Sequence, residues 1–282
     1  MFKAVRVILM LALSLPLTAE AYTGAVITRM SDRQRVTLSQ LTAAAESTDL
    51  VLIGEAHDSK AHHEMQLALI RTLWSKKIPI AIGLEMIQSD NQQELDAWTE
   101  GKMSEQDFQK VYARNWSLDW SMYRDIFLFA RDNRVPMVAL NIPKELVIKV
   151  ARQGFASLTP EEKKDLPQDT SCDLNNPHTA FLKSYFQDVS KHVTNGRAFT
   201  FFCEAQTLRN SGMALNMARY VKKHPGRKIV ALAGVWHAVK NAIPEQLKRI
   251  DSKLTDLVIL PEIPELNAKN ASADVVDYLV SW

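Results

Sequence analysis

The stretch Asp49–Asp58, DLVLIGEAHD, joins a continuous apolar run to a burst of polar residues. An apolar run without alternation predicts a strand buried on both faces, the kind found in a parallel sheet covered by helices. Gly54 then lets the chain turn sharply off the strand, and His57 points into the crevice beyond it. Outward from this stretch the same reading repeats. Pro79–Met86 (PIAIGLEM), Pro136–Asn141 (PMVALN), Ile229–Gly234 (IVALAG) and Asp256–Leu260 (DLVIL) predict four more buried strands. Between them lie helical patterns. Lys60–Lys77 repeats Met65, Leu69, Leu73 and Ile70, Trp74 at helical spacing. Asp90–Trp98, Ser104–Tyr112, Asp119–Arg131, Lys144–Gln153, Asn176–His192, Phe199–Val221 and Ile243–Ile250 predict further helices. Thr159-Pro160-Glu161-Glu162 is a capping box with proline at the first helical position. The tail Ala273–Val280 is expected to add an edge element.

Strands alternating with helices predict an α/β fold, a mainly parallel sheet flanked by helices. The stretches around 90–133 and 151–221 are almost purely helical and read as insertions into one domain over 22–282. Composition agrees: 282 residues, 46% hydrophobic and 23% charged, describe a globular chain. Lys+Arg 34 against Asp+Glu 32 argues against nucleic acid as a partner. Two cysteines exclude a disulfide-dense scaffold and a CxxC zinc site.

The first residues predict export. Lys3 and Arg6 precede the apolar run Val7–Leu17, and Ala19-Glu20-Ala21 fits signal peptidase. That run, about 11 residues, is too short to span a ~30 Å hydrocarbon core. A Sec signal peptide over 1–21, cleaved after Ala21 and with no lipid-anchor cysteine beside it, predicts a periplasmic or secreted protein. In such a compartment Cys172 and Cys203 either form a bridge or stay as two buried thiols; both readings stand.

In open α/β sheets, ligands bind beyond the carboxyl ends of the strands. Glu55, His57, Glu85 and His237 all fall there and converge from three strands. Two imidazoles and two carboxylates suit a divalent metal or an acid/base cluster. His62 and His63 are near enough in sequence to join. The plain alternative is hydrogen-bonded histidines and a Glu85 paired with Arg124 or Arg209, because unpaired burial of a carboxylate is expensive. From Asn176 onward, His178, Phe181/Leu182 and Tyr185 share a helix stripe: a core face, or a source of a haem-iron ligand. In the following helix Gln206 and Arg209 share a mixed face, and Arg209 suits a carboxylate or a haem propionate.

Five segments together resemble the ChaN family of the haem-binding uptake and Tiki superfamily. They are LIGEAHDSKAHH (Leu52–His63), GLEM (Gly83–Met86), YRDIFLFARDNRVPMVALNIP (Tyr123–Pro143), AQTLRNSGMA (Ala205–Ala214) and AGVWHA (Ala233–Ala238). The resemblance implies an α/β fold and a haem-binding role in iron uptake. It implies haem held by a tyrosine at a homodimer interface, with an outer-membrane haem transporter as partner. Tyr185, Tyr123 and Tyr112 are candidates for that tyrosine; His178, Arg209, Gln206 and Arg124 are candidates for the surrounding site. The missing lipid-anchor cysteine departs from many members. The wider superfamily, with its Tiki-like, TraB-like and erythromycin-esterase-like branches, implies a rival: a metal-dependent hydrolase. There His57 and His237 would bind metal or move protons, Glu55 or Glu85 would activate water, and Arg124 or Arg209 would steady negative charge.

Overall fold

The computed structural model describes residues 24–167, 170–189 and 196–282. The signal peptide expected over 1–21 lies outside the described residues. The chain opens with β1 (Val26–Arg29), β2 (Gln34–Val36) and α1 (Leu38–Glu46). Then follow β3 (Leu50–Glu55), α2 (Lys60–Ser75), β4 (Ile80–Gln88), α3 (Gln92–Thr99), α4 (Glu105–Asn115) and α5 (Trp120–Asp132). Next come β5 (Met137–Asn141), α6 (Lys144–Gln153), α7 (Pro160–Lys163), α8 (Pro177–Val189) and α9 (Gly196–Lys223). β6 (Lys228–Gly234), α10 (Val235–Ala238), α11 (Ile243–Ile250), β7 (Asp256–Pro261) and β8 (Tyr278–Ser281) complete it.

One sheet holds all eight strands in the order β2-β1-β8-β7-β3-β6-β4-β5. The run from β8 to β5 is parallel; β1 pairs antiparallel with both β8 and β2. Thus the carboxyl-terminal strand is not an edge element. It lies between β7 and the hairpin β1–β2, whose second strand is the edge. β1 (VITR) and β2 (QRV) are short and mix charge with apolar residues, so neither gives the unbroken run that marked the inner strands.

Side-chain alternation divides the core into two layers. Val51, Ile53, Ile82, Leu84 and Leu232 face the layer packed by α2–α5, with Leu69, Trp98, Phe108 and Phe127. Leu50, Leu52, Ala81, Ile229 and Ala231 face the opposite layer, with Met213 and Met217 of α9 and Leu247 of α11. The same parity places Glu55 on the α2/α5 side and Glu85 on the α9 side. The β4–β5 pairing shifts register between Leu84 and Gln88, and Asn141 Nδ2 fills the gap by donating to the Glu85 carbonyl at 3.0 Å. Such irregularities re-aim a side chain at a strand end.

Cys172, before α8, is bridged to Cys203 of α9, with Cα atoms 5.5 Å apart. Thr159 caps α7 through a complete capping box with Pro160 in its first turn. Ser104 caps α4 by accepting from the Asp107 amide at 3.1 Å. Among the described residues no helix is long and apolar enough to cross a membrane.

A candidate binding cleft at the strand ends

The carboxyl ends of β3, β4 and β6 carry two buried carboxylates into one cleft. Register brings Glu55 beside Gly234 across the β3–β6 pair. Glu55 accepts from His57 Nδ1 at 2.8 Å, from Gln66 Nε2 at 2.7 Å and from the Tyr123 hydroxyl. His63 Nε2 lies 3.5 Å from Oε2, the oxygen that Gln66 also meets. Burial alone would push the Glu55 carboxyl up; the imidazoles of His57 and His63 reverse this and hold it far below the usual carboxylate range. His57 is partly exposed and packs edge-on against Trp116, with ring centroids 4.9 Å apart. Burial pulls its imidazole down, but the bond to Glu55 and the field of Glu85 prevail and raise it.

Glu85 belongs to the second group. It accepts from the Gly234 amide at 2.6 Å and from Arg209 Nη2. Burial pushes its carboxyl up; the surrounding positive field, fixed by the Arg209 guanidinium, holds it low. His237 Nε2 lies 3.5 Å from Glu85 Oε1, and His237 Nδ1 donates to Asn210 Oδ1 at 2.5 Å. Burial pushes the His237 imidazole down to about 3, so it is neutral near pH 7.

The cleft between these groups has a volume of about 420 Å³, within the roughly 300–1,000 Å³ of small-molecule sites. Its walls are apolar and aromatic: Trp116, Phe181, Phe202, Trp236, Ile263 and Pro264. Phe181 of α8 stacks on Trp236, with centroids 4.9 Å apart and planes 29° apart. Gln206 and Arg209 enter from α9, and Arg209 is the one Lys or Arg among the described lining residues.

Of the residues picked from sequence, Glu55, His57, Glu85, His237, Arg209 and Gln206 all line this cleft. Among the described residues no group of three or more His, Cys, Asp or Glu side chains is arranged to hold a metal ion. The reason is visible in the two carboxylates, whose oxygens are already taken by neutral donors and by a fixed guanidinium. His62 stays out of the cluster: its Nδ1 accepts from the Ala56 amide at 2.9 Å.

Other picks lie elsewhere. Arg124 makes a bidentate surface pair with Glu105, at 2.6 and 3.0 Å. His178 is buried and donates from Nε2 to the Trp236 carbonyl at 2.7 Å, so it supports the cleft wall from behind. Tyr123 and Tyr112 are buried in the α4–α5 core, and burial raises both phenols far above their ordinary value. Neither lines the cleft. The side chain of Tyr185 lies outside the described residues.

Sequence reasoning missed Gln66, Tyr123 and Asn210 as partners of the cluster, and Trp116 and Ile263-Pro264 as walls. The last two were within reach, since they follow the end of β7 and the strand-end rule applies there too. Trp236 sits inside the Gly-x-x-His segment itself.

The family described as haem-binding uptake, Tiki superfamily, ChaN matches residues 41–247. Among solved structures, ChaN of Campylobacter jejuni, described as binding haem cofacially, superposes with a TM-score of 0.73. It is 17% identical, with 91% of this chain and 96% of that one covered. An erythromycin esterase mutant in its open conformation superposes at 0.52 and 16% identity, covering 90% of this chain and 82% of that one. Both likenesses are of fold. Among curated proteins, RETICULATA-RELATED 5, a chloroplastic protein of Arabidopsis thaliana, is 23% identical over 265 residues. That match takes in 88% of this chain and 35% of the plant protein, so the chain spans about a third of that relative's length. The family match covers most of the described fold and all three strand ends that build the cleft: this chain belongs to the ChaN family of the haem-binding uptake, Tiki superfamily.

Proposed function

We propose that this chain is an exported haem-binding protein serving iron or haem uptake, and that the strand-end cleft receives the porphyrin. The observation that carries this reading is the Phe181–Trp236 stack lining an apolar cleft in a chain of a haem-binding family. Stacked aromatic rings suit the face of a planar apolar ligand. Arg209 and Gln206 suit its carboxylates. A tyrosine or histidine supplies the iron ligand, with Tyr185 on α8 and His57 in the cleft as the candidates. Export rests on the expected signal peptide, and the Cys172–Cys203 bridge is in keeping with an oxidising compartment. In this reading haem is shared between two copies of the chain and exchanged with an outer-membrane transporter.

Haem titration of purified residues 22–282, followed by absorption, tests it. A saturable Soret shift that weakens in Trp236→Ala is expected; no shift with excess haem overturns it.

One observation favours a second reading. His57 is oriented through Nδ1 by Glu55, and its Cε1–Nε2 edge turns toward Gly234 and the cleft. A histidine so held can take a proton from water without a metal, with Arg209 steadying the charge that develops. Ester hydrolysis that survives chelators and is lost in His57→Ala would support this; turnover unchanged in that variant would remove it.

A further inference from the structure

The Cys172–Cys203 bridge joins the two helices that wall the cleft. Cys203 is on α9, next to Phe202 and three residues before Gln206, both of which line the cleft. Cys172 leads into α8, which contributes Phe181 and Leu182 to the cleft lining. Among the described contacts, the start of α8 meets the sheet body through Asn176 Nδ2 to Glu245 at 2.8 Å, His178 to the Trp236 carbonyl at 2.7 Å and the Phe181–Trp236 stack, and further along Phe186 packs on Phe202 of α9, with centroids 5.2 Å apart. The bridge is the covalent tie among them. The bridge is also unevenly exposed. Cys203 is buried, whereas Cys172 is half-buried on a loop whose next three residues, Asp173, Leu174 and Asn175, face solvent. Leu174 is 67% exposed.

We propose that this disulfide is a redox latch on the α8 wall, opened by a dithiol reductant that reaches Cys172 from the exposed loop. The thiolate of the reductant attacks Cys172 Sγ, the S–S bond breaks, and Cys203 leaves as a thiolate that takes a proton. The second thiol of the reductant then displaces the Cys172 thiolate, which is protonated in turn. Two electrons and two protons pass from the dithiol to the cysteines, and the dithiol becomes a disulfide. Reduction frees the loop before α8, swings Phe181 off Trp236 and lets a bound planar ligand go. Reoxidation restores the closed wall. The ligand-release half of the latch rests on the cleft being the porphyrin site; the opening itself does not.

Metal-free protoporphyrin, which dithiothreitol does not reduce, serves as ligand, with the protein oxidised or reduced and alkylated. Reduction should speed amide exchange at residues 178–182 by about tenfold and leave β3, β4 and β6 protected, as expected of local opening. Porphyrin affinity should fall by a similar factor, and Cys172→Ser should match the reduced protein. Unchanged exchange at 178–182 overturns the latch. Equal loss of protection in α8 and the central strands also overturns it, since the bridge would then be a global staple. Faster exchange with no porphyrin binding in the oxidised protein leaves the opening standing and removes its ligand-release half, while haem titration alone decides the haem reading.

Discussion

The Gly234 amide donates to Glu85 Oε2 at 2.6 Å, across the join between β6 and β4. That bond and the Arg209 pair leave a carboxylate buried yet fully partnered. Removing one partner of a buried pair strands the other charge and costs about 3–5 kcal/mol. Arg209→Ala should therefore lower unfolding stability by an amount in that range, less a little because Arg209 is 18% exposed. Arg124→Ala, which breaks only the exposed pair with Glu105, should leave the denaturation midpoint unmoved. Urea denaturation of the two variants checks the contrast; equal effects would mean that Glu85 is not charged in the native protein.

Gly234 also sets the position of His57. A Cβ built there lies 2.9 Å from both Cε1 and Nε2 of the imidazole, closer than real contacts allow. His57 is partly exposed and can swing away, so Gly234→Ala should cost only about 1 kcal/mol. The swing breaks the bond from Nδ1 to Glu55. The imidazole signals of His57 should then move in nitrogen-edited NMR spectra while the strand amides stay in place. Gly212→Ala meets Ile142 at 2.3 Å inside the packed α9 face, where nothing can swing, and should cost more. Reversal of that order would contradict the placement.

Acid sensitivity follows from the same groups. His237 falls from an ordinary 6.5 to about 3 in the fold. Between those values the unfolded chain binds a proton that the native protein refuses. Stability is complete above pH 6.5 and is lost as pH falls, by about 1.4 kcal/mol per unit for this group. His62 and His178 are lowered too and act in the same direction. Glu55 and Glu85, both held below 4.5, add their loss under that pH. His57 is raised and runs the other way: its contribution is whole below 6.5 and fades as pH climbs through its folded value. Denaturation from pH 8 to 4 should show a shallower acid slope in His237→Gln than in wild type. His57→Gln should flatten the alkaline side alone.

The strands were readable because each is an unbroken apolar run ended by a polar burst, and the Gly-x-x-His segments marked the crevice. The facing of the two carboxylates needed the structure: register and packing put Glu55, after Val51 and Ile53, on one layer and Glu85, after Ala81, on the other. Arg209 as the partner of Glu85 stood among the alternatives. What pairs with Glu55 did not, because Gln66 and Tyr123 sit on two different helices and only packing brings them to one oxygen pair. The hairpin β1–β2 escaped because its charges broke the pattern. Residue type alone also does not tell that the lone pairs of both carboxylates already have partners in the fold.

The wall and the iron ligand can be separated by two variants. His178 donates to the Trp236 carbonyl and lines no part of the cleft, so its effect on a bound porphyrin must pass through Trp236. His178→Gln should weaken haem binding by a few-fold, through a loosened Phe181–Trp236 stack. It should leave the ligand-field bands of the haem complex where they are. Trp236→Ala removes one ring of the stack and should cost roughly tenfold in affinity, again with the bands unmoved. Absorption spectra of the ferric complexes across the Soret and visible range give both readings at once. A displaced charge-transfer band in His178→Gln would make His178 an iron ligand that leaves the Trp236 carbonyl when haem enters.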